Sequence, residues 1–322
     1  MGEPNTLVTL RLPSVVLARL EPFCKVDLYI GEMPITPAEL LARVRDKEGL
    51  ICAVTDKIDR DVINAGKHLR VIANTAVGFD NIDVSYARDR KITVTNTPDV
   101  LTEAVAELTW ALILTISRRV SEGERLLRAG KWSGWRFDFL LGTELSGKQL
   151  GIVGAGRIGQ AVAARAKAFG VRVVYGTVPG RQKSEREGTE AVRLSFDELL
   201  STSDIVSLHL PFLPETHHLI GRSALLRMKR SAYLINTARG PIIDESALAW
   251  ALRERLIAGA ALDVYEDEPL INRHLLGLDN VVLVPHLGSA TKETRTSMAD
   301  LAVSNVLAVL TDQTPHTPVL PL

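Results

Sequence analysis

Three side chains with complementary chemistry close three apolar runs in the second half of this 322-residue chain. AYLINT is followed by Ala238, Arg239 and Gly240, AGAAL by Asp263 and then Glu268, and NVVLVP by His286. An arginine can grip a carboxylate through two parallel bonds. A histidine titrates near neutrality and can protonate a carbonyl oxygen as hydride arrives. A glutamate beside it can hold the imidazole and favour its charged form. Singly, each residue is ordinary, since loop arginines are usually surface charges and a Glu before a Pro usually lies in a turn. Ligands of open α/β sheets sit at the carboxyl ends of the strands. Joint placement there suits reduction of a 2-oxo acid, with Arg239 on the carboxylate, His286 as general acid and Glu268 behind it.

Such a reaction needs a hydride donor, and the chain offers a seat for one. Gly154, Gly156 and Gly159 form G-x-G-x-x-G between an apolar run, QLGIV, and a segment with Ile158, Ala161, Val162, Ala166 and Phe169 on one helical face. In that setting the glycines permit a tight turn, close approach of backbone to pyrophosphate and close helix–strand packing. The helix N-terminus adds free N–H groups. Gly154, Gly156, Arg157, Ile158 and Gly159 are therefore candidate dinucleotide-binding residues. The next run, VRVVYG, ends at Thr177, where this fold usually keeps an acid for the adenosine ribose. An acid there would repel a 2′-phosphate. Thr177 removes that repulsion, and Arg181, with Lys183 nearby, supplies positive charge. The expected cofactor is NADP(H), with NAD(H) as a weaker one.

The elements that must position these groups are legible as alternation. TLVTLRLP, KVDLYI, GLICAVT, LRVIANT and ITVTNT read as strands separated by short helical patterns such as PAELLARVR. Strands alternating with helices imply a parallel sheet. Leu101, Val105, Leu108, Leu112 and Ile116 mark one face of a long helix. After a linker rich in Gly and Trp, six further strands run from KQLGIVG to NVVLVPH, and TKETRTSMADLAVSNVLAVL forms a last helix. The predicted fold is α/β, with two doubly wound parallel-sheet (Rossmann-like) domains and a cleft between them. Residues 1–98 with 291–322 would form a substrate-binding, flavodoxin-like domain, and 99–290 the dinucleotide-binding domain.

Bulk numbers narrow the class. Lys plus Arg and Asp plus Glu both total 38, so the net charge is zero and no basic excess marks a nucleic-acid binder. Hydrophobic residues make up 46% and charged residues 24%, values of a soluble globular protein. No apolar run approaches a membrane span, and TWALILTI reads as a core helix. The N-terminus lacks a signal-peptide pattern; MGEPNT fits only the bare myristoylation pattern, with no second membrane signal beside it. Cys24 and Cys52 read as free thiols of a reducing compartment, which suggests the cytoplasm. His68, His209, His217, His218, His274 and His316 show no metal-ligand spacing, and no metal site is expected.

NTAVGFDNID, NTPDVLTEAVAEL, KWSGWRFDFLLGTELSGKQLGIVGAGRIGQ, LPETHHLI, INTARGPIIDESAL, ALDVYEDEP and PHLGSAT together resemble the D-isomer-specific 2-hydroxyacid dehydrogenases, most of all their glyoxylate/hydroxypyruvate reductases. The likeness covers nearly the whole chain. It implies that Arg239, Glu268 and His286 are the catalytic set and that Asp263 lies near the nicotinamide carboxamide. It also implies that the backbone at Val77 and Gly78 binds the substrate carboxylate and that Thr102 lies near the cofactor. It implies a homodimer in which Trp135 reaches the partner subunit's active site. The loop GTVPGRQKS departs from the family's form, being longer before its arginine. Glyoxylate and hydroxypyruvate lead the expected substrates, chosen by pocket shape around Val77, Phe79 and Trp135. The alternatives are a 2-ketogluconate reductase, a phosphoglycerate dehydrogenase or a nucleotide-sensing corepressor on the same fold.

Overall fold

A computed structural model describes residues 3–177 and 192–319. Arg181 and Lys183 lie outside the described residues. The chain divides into two compact units, at Leu101/Thr102 and Ser289/Ala290.

The first unit alternates β1 (Asn5–Val8), α1 (Ser14–Leu17), β2 (Lys25–Leu28), α2 (Pro37–Arg43), β3 (Gly49–Cys52), α3 (Arg60–Ala65), β4 (Val71–Asn74), α4 (Val84–Asp89) and β5 (Thr93–Thr95). Its described strands form one parallel sheet in the order β2-β1-β3-β4-β5. β3 and β4 are buried at every position, as strands covered on both faces must be. Successive residues face opposite ways along a strand. Leu7, Leu50 and Ile72 accordingly join one core, while Val8, Ile51 and Val71 join another. Helix starts are fixed by side chains: Thr36 accepts from the Glu39 N–H, Asp59 from Asp61 and Val62, and Asp83 from Tyr86.

The second unit opens with α5 (Thr102–Ser117) and α6 (Val120–Arg128). It continues through β6 (Gln149–Val153), α7 (Arg157–Ala166), β7 (Arg172–Thr177), β8 (Val192–Ser195), α8 (Phe196–Thr202) and β9 (Ile205–Leu208). α9 (Arg222–Arg227), β10 (Tyr233–Asn236), α10 (Glu245–Arg253), β11 (Gly259–Leu262), α11 (Arg273–Leu276) and β12 (Val281–Leu283) complete it. α12 (Lys292–Leu310) then returns to the first unit, where Ala302, Val303 and Val306 close its second core over Val8, Ile51 and Val71.

The second sheet is parallel, in the order β12-β11-β10-β9-β6-β7-β8. It has seven described strands where the sequence suggests six. The additional strand, β8, reads VRLS and is mostly exposed, so it carries no apolar alternation to find. Ser195 closes it and at once caps α8 in a reciprocal bond with Glu198. Trp110, Ile113 and Ile116 of α5 pack with Val162 and Ala166 of α7 on one face of the sheet, while α8, α9 and α10 cover the other. Each fully buried Leu or Ile contributes about 1.5–3 kcal/mol. Chain order reverses between β7 and β9, on either side of β6. That is the switch point at which such sheets bind ligands.

Among the described residues no helix is long and apolar enough to cross a membrane. Cys24 and Cys52 are both buried and free.

Candidate active site

At the switch point β6 runs into the glycine loop. Gly154 has a φ of +108°, and a Cβ there would lie 2.4 Å from the His209 carbonyl oxygen. A Cβ on Gly159 would meet the Gly154 carbonyl at 2.2 Å. Both glycines are demanded by the turn itself. Gly156 differs: it is the N-cap of α7, no side chain caps the helix there, and a Cβ would enter open space. Among the described residues nothing lies within 4 Å of that position, and an open helix N-terminus is what a pyrophosphate seat requires. Ile158 packs against the α5–α7 core, and Arg157 is the first residue of α7.

β7 ends at Thr177 with no carboxylate. The Thr177 hydroxyl donates to the Leu194 carbonyl of β8 at 3.2 Å, so in this arrangement its proton is engaged within the sheet. Arg181, expected to supply positive charge to the 2′-phosphate, lies outside the described residues.

Beside this loop stands a histidine whose role its sequence context does not announce. His209 follows β9, and its backbone N–H donates to the Val153 carbonyl at 2.8 Å. Its Nε2 lies 2.8 Å from the Ser207 hydroxyl. Burial drives its pKa down to about 4, so the ring is neutral.

Arg239, Glu268 and His286 come from the loops after β10, β11 and β12. Asn236 builds the first of these: its amide donates to the Arg239 carbonyl at 2.9 Å, and its oxygen accepts from the Ala238 N–H at 3.0 Å. Gly240 lets this loop pass the next, because a Cβ there would sit 1.9 Å from the Tyr265 carbonyl. The Arg239 Nη1 donates to the Ala238 carbonyl at 2.8 Å. Glu268 accepts from the Tyr265 N–H at 3.0 Å, and its other oxygen lies 2.8 Å from His286 Nδ1. Burial alone would raise the Glu268 pKa. The His286 bond and charge, the Tyr265 N–H and the Arg239 charge outweigh burial and hold it low. An ionised carboxylate only accepts, so Nδ1 carries a hydrogen and Nε2 is left for a ligand. His286 has a φ of +51°, uncommon for a residue with a side chain.

Asp263 is 1% exposed. Its two oxygens accept from the Leu287 N–H at 2.5 Å and the Gly288 N–H at 2.9 Å, and its carbonyl accepts from the His286 N–H at 3.0 Å. Burial raises its pKa in spite of these donors. Asp263 thus holds the loop that carries His286, a bond pattern set by residues more than twenty positions away and invisible in the sequence.

A second pairing escaped the sequence reading too. His218 Nε2 contacts Glu266 Oε1, and the His218 N–H donates to the Pro241 carbonyl at 2.9 Å. The Glu266 N–H donates to Glu245 at 2.8 Å, and the Glu245 N–H returns a bond at 3.2 Å. These contacts tie the Arg239 loop to the Glu268 loop.

The remaining predicted residues are placed as follows. Thr102 is the first residue of α5. Trp135 lies in the irregular linker and is 79% exposed. Val77 and Gly78 follow β4 on the first unit. That unit also has a concavity of about 660 Å³ lined by Arg11, Pro13, Thr75, Lys292 and Arg295 among others. It contains Thr75, two residues before Val77, but none of Arg239, Glu268 and His286. Among the described residues no group of three His, Cys, Asp or Glu side chains is placed to hold a metal ion.

Comparison with known proteins agrees with this architecture. Residues 110–288 match the family described as D-isomer specific 2-hydroxyacid dehydrogenase, NAD binding domain. The chain is 47% identical over 318 residues to a glyoxylate reductase of Thermofilum pendens, covering 98% of this chain and 94% of that one. Among solved structures, a protein from Thermus thermophilus superposes with a TM-score of 0.91 at 48% identity, covering 98% and 100% of the two chains. An NADPH-dependent glyoxylate/hydroxypyruvate reductase from Sinorhizobium meliloti, in complex with NADP and malonate, does so with a TM-score of 0.85 at 34% identity, covering 99% and 97%. With its glycine loop at the switch point and this likeness along nearly its whole length, the chain belongs to the D-isomer specific 2-hydroxyacid dehydrogenases.

Proposed function

We propose that the protein reduces small 2-oxo acids, glyoxylate and hydroxypyruvate first, to 2-hydroxy acids, of D configuration where the product is chiral, preferring NADPH to NADH. The observation that carries this reading is the Glu268–His286 pair, 2.8 Å apart, on the strand ends of the sheet that bears the glycine loop. Names of relatives support the substrate class.

The Gly154–Gly159 loop and the α7 N-terminus would hold the pyrophosphate of a nicotinamide dinucleotide, Thr177 and Arg181 its adenosine side, and Thr102 and Asp263 would lie towards its nicotinamide. When bound, that group supplies hydride to the carbonyl carbon. Arg239 grips the substrate carboxylate through its planar fork, and the N–H groups of Val77 and Gly78 add to it. Glu268, held ionised, fixes the His286 ring through Nδ1. His286 donates the Nε2 proton to the carbonyl oxygen, so one hydride and one proton convert the carbonyl group to an alcohol. Two buried thiols fit the cytoplasm as the working compartment.

Initial rates of NADPH and NADH oxidation with glyoxylate test the reading. Fast turnover with NADPH is expected, with His286→Ala lower by about 10²–10⁴-fold and nucleotide binding unchanged. Thr177→Asp should move preference towards NADH by about tenfold or more, because a like charge meets the 2′-phosphate. A preference for NADH in the wild type would remove the roles given to Thr177 and Arg181. Near-normal turnover of His286→Ala would remove the general acid.

A further inference from the structure

The loop at Val77 and Gly78 is shaped by its carbonyls. Three successive ones are held on the first unit. The Ala76 carbonyl accepts from the Thr97 N–H at 2.9 Å, that of Val77 from the Asn96 side-chain amide at 2.8 Å, and that of Gly78 from the Asn74 amide at 2.8 Å. A trans peptide points its N–H opposite to its C=O, and these bonds are trans. Holding the Ala76 and Val77 carbonyls therefore turns the N–H groups of Val77 and Gly78 away from Asn96 and Thr97. The direction of that N–H pair is set by the placement of Asn96 and Thr97.

Asn96 is itself clamped from the segment beyond α12. The Thr317 hydroxyl donates to the Asn96 carbonyl at 2.6 Å, and the Asn96 N–H donates to the Thr317 carbonyl at 3.3 Å. Asn305, wholly buried on α12, holds Thr317 in turn. Its amide donates to the Thr317 hydroxyl at 2.8 Å, and its oxygen accepts from the N–H groups of His316 at 2.8 Å and Thr317 at 3.1 Å. The Thr317 hydroxyl thus uses both its donor and its acceptor capacity. Among the described residues this buried amide is satisfied by that segment alone, which makes the arrangement specific, because leaving it unpaired is costly.

We propose that Thr317 is a positioning residue for substrate, aligning the Val77 and Gly78 N–H groups through Asn96. The inference rests on the reading of that loop as the carboxylate cradle. Thr317→Val keeps the shape and deletes the hydroxyl; Thr317→Ser restores it. In the unliganded protein, amide exchange across residues 75–80 should quicken about tenfold in the valine variant and return to normal in the serine variant. KM for glyoxylate should rise about fivefold to tenfold with Thr317→Val, the scale of one hydrogen bond, while kcat and the NADPH Kd stay within about twofold. Asn96→Asp, which withdraws the donor to Val77, should give the same split should the valine variant fold poorly. Unchanged exchange in Thr317→Val overturns the relay, whichever acid proves to be the substrate. Equal rises in KM and nucleotide Kd, with a lower Tm in valine and serine variants alike, overturn it in favour of general destabilisation. A wild type inactive on glyoxylate refutes the substrate reading alone, and the exchange result then decides the relay.

Discussion

His209 shows how one side chain couples the glycine loop to pH. Its unfolded pKa is about 6.5, and burial sets the folded value at about 4. Between those values the unfolded chain binds more protons, so stability must rise with pH there. The stabilisation is complete above pH about 6.5 and is lost as pH falls towards 4, by at most about 3 kcal/mol. Glu268 acts in a lower window. Its folded pKa is depressed, so its contribution is present above pH about 4.3 and is lost as pH falls through the folded value. Urea melts from pH 7 to 4 should show the loss between 6.5 and 4 in the wild type and a much flatter profile in His209→Gln. An equal slope in both proteins would mean that burial of this ring does not set acid stability. The strand-end positions of Arg239, Glu268 and His286 could be read because apolar runs end where polar residues begin. His209 also ends such a run, but its neutral state depends on what packs around it. Asp263 was legible as a strand-end carboxylate, yet its partners at Leu287 and Gly288 belong to a loop that only the fold brings near.

Among elements, the β6–α7 turn separates what the fold demands from what a ligand demands. Gly159→Ala would push a methyl group against the Gly154 carbonyl, whose position is fixed by the turn. About 1–3 kcal/mol of destabilisation is expected, as for other overpacked sites. Gly156→Ala meets no described atom within 4 Å, and exchanging one N-cap residue for a poorer one costs about 1 kcal/mol or less. A methyl group there would still occupy the space proposed for the pyrophosphate. Thermal melts should therefore single out Gly159→Ala, while a fluorescence titration with NADPH should show Gly156→Ala weakened by about tenfold or more, the cost of displacing one good phosphate contact. Unimpaired nucleotide binding by Gly156→Ala would mean that the pyrophosphate sits elsewhere. Elements with strong patterns could be read in this way. β3, β4, β10 and β11 are buried throughout and appear as short apolar runs, those of β4 and β10 closed by an asparagine. β8 could not, because four mostly exposed residues at a sheet edge carry no hydrophobic period and owe their strand form to pairing with β7.

For the whole molecule, the two-sheet architecture followed from alternation and composition, whereas association is written only weakly in the sequence. The structure shows a concentration of exposed apolar bulk over residues 120–141. Val120 is 54% exposed, Leu127 59%, Trp132 55%, Trp135 79%, Phe137 86% and Leu141 64%. Scattered apolar residues are normal on a surface, whereas contiguous apolar patches mark protein-binding surfaces, and we propose this segment as such a surface. A second copy of this chain, related by a two-fold axis, is the simplest partner. Trp135 and Phe137 are the natural anchors, being aromatic and the most exposed of the set. Deleting aromatic anchors costs about 2 kcal/mol or more each, so Trp135→Ala with Phe137→Ala should raise the dimer Kd by about 10³-fold. Sedimentation equilibrium at micromolar protein should find the wild type dimeric and the double variant largely monomeric, with the far-UV spectrum unchanged. If Trp135 also completes the partner's substrate site, kcat/KM of the double variant should fall with dilution more steeply than that of the wild type. A wild type that stays monomeric at high concentration would rule out the dimer. A double variant that dimerises as tightly as the wild type would move the interface to another face.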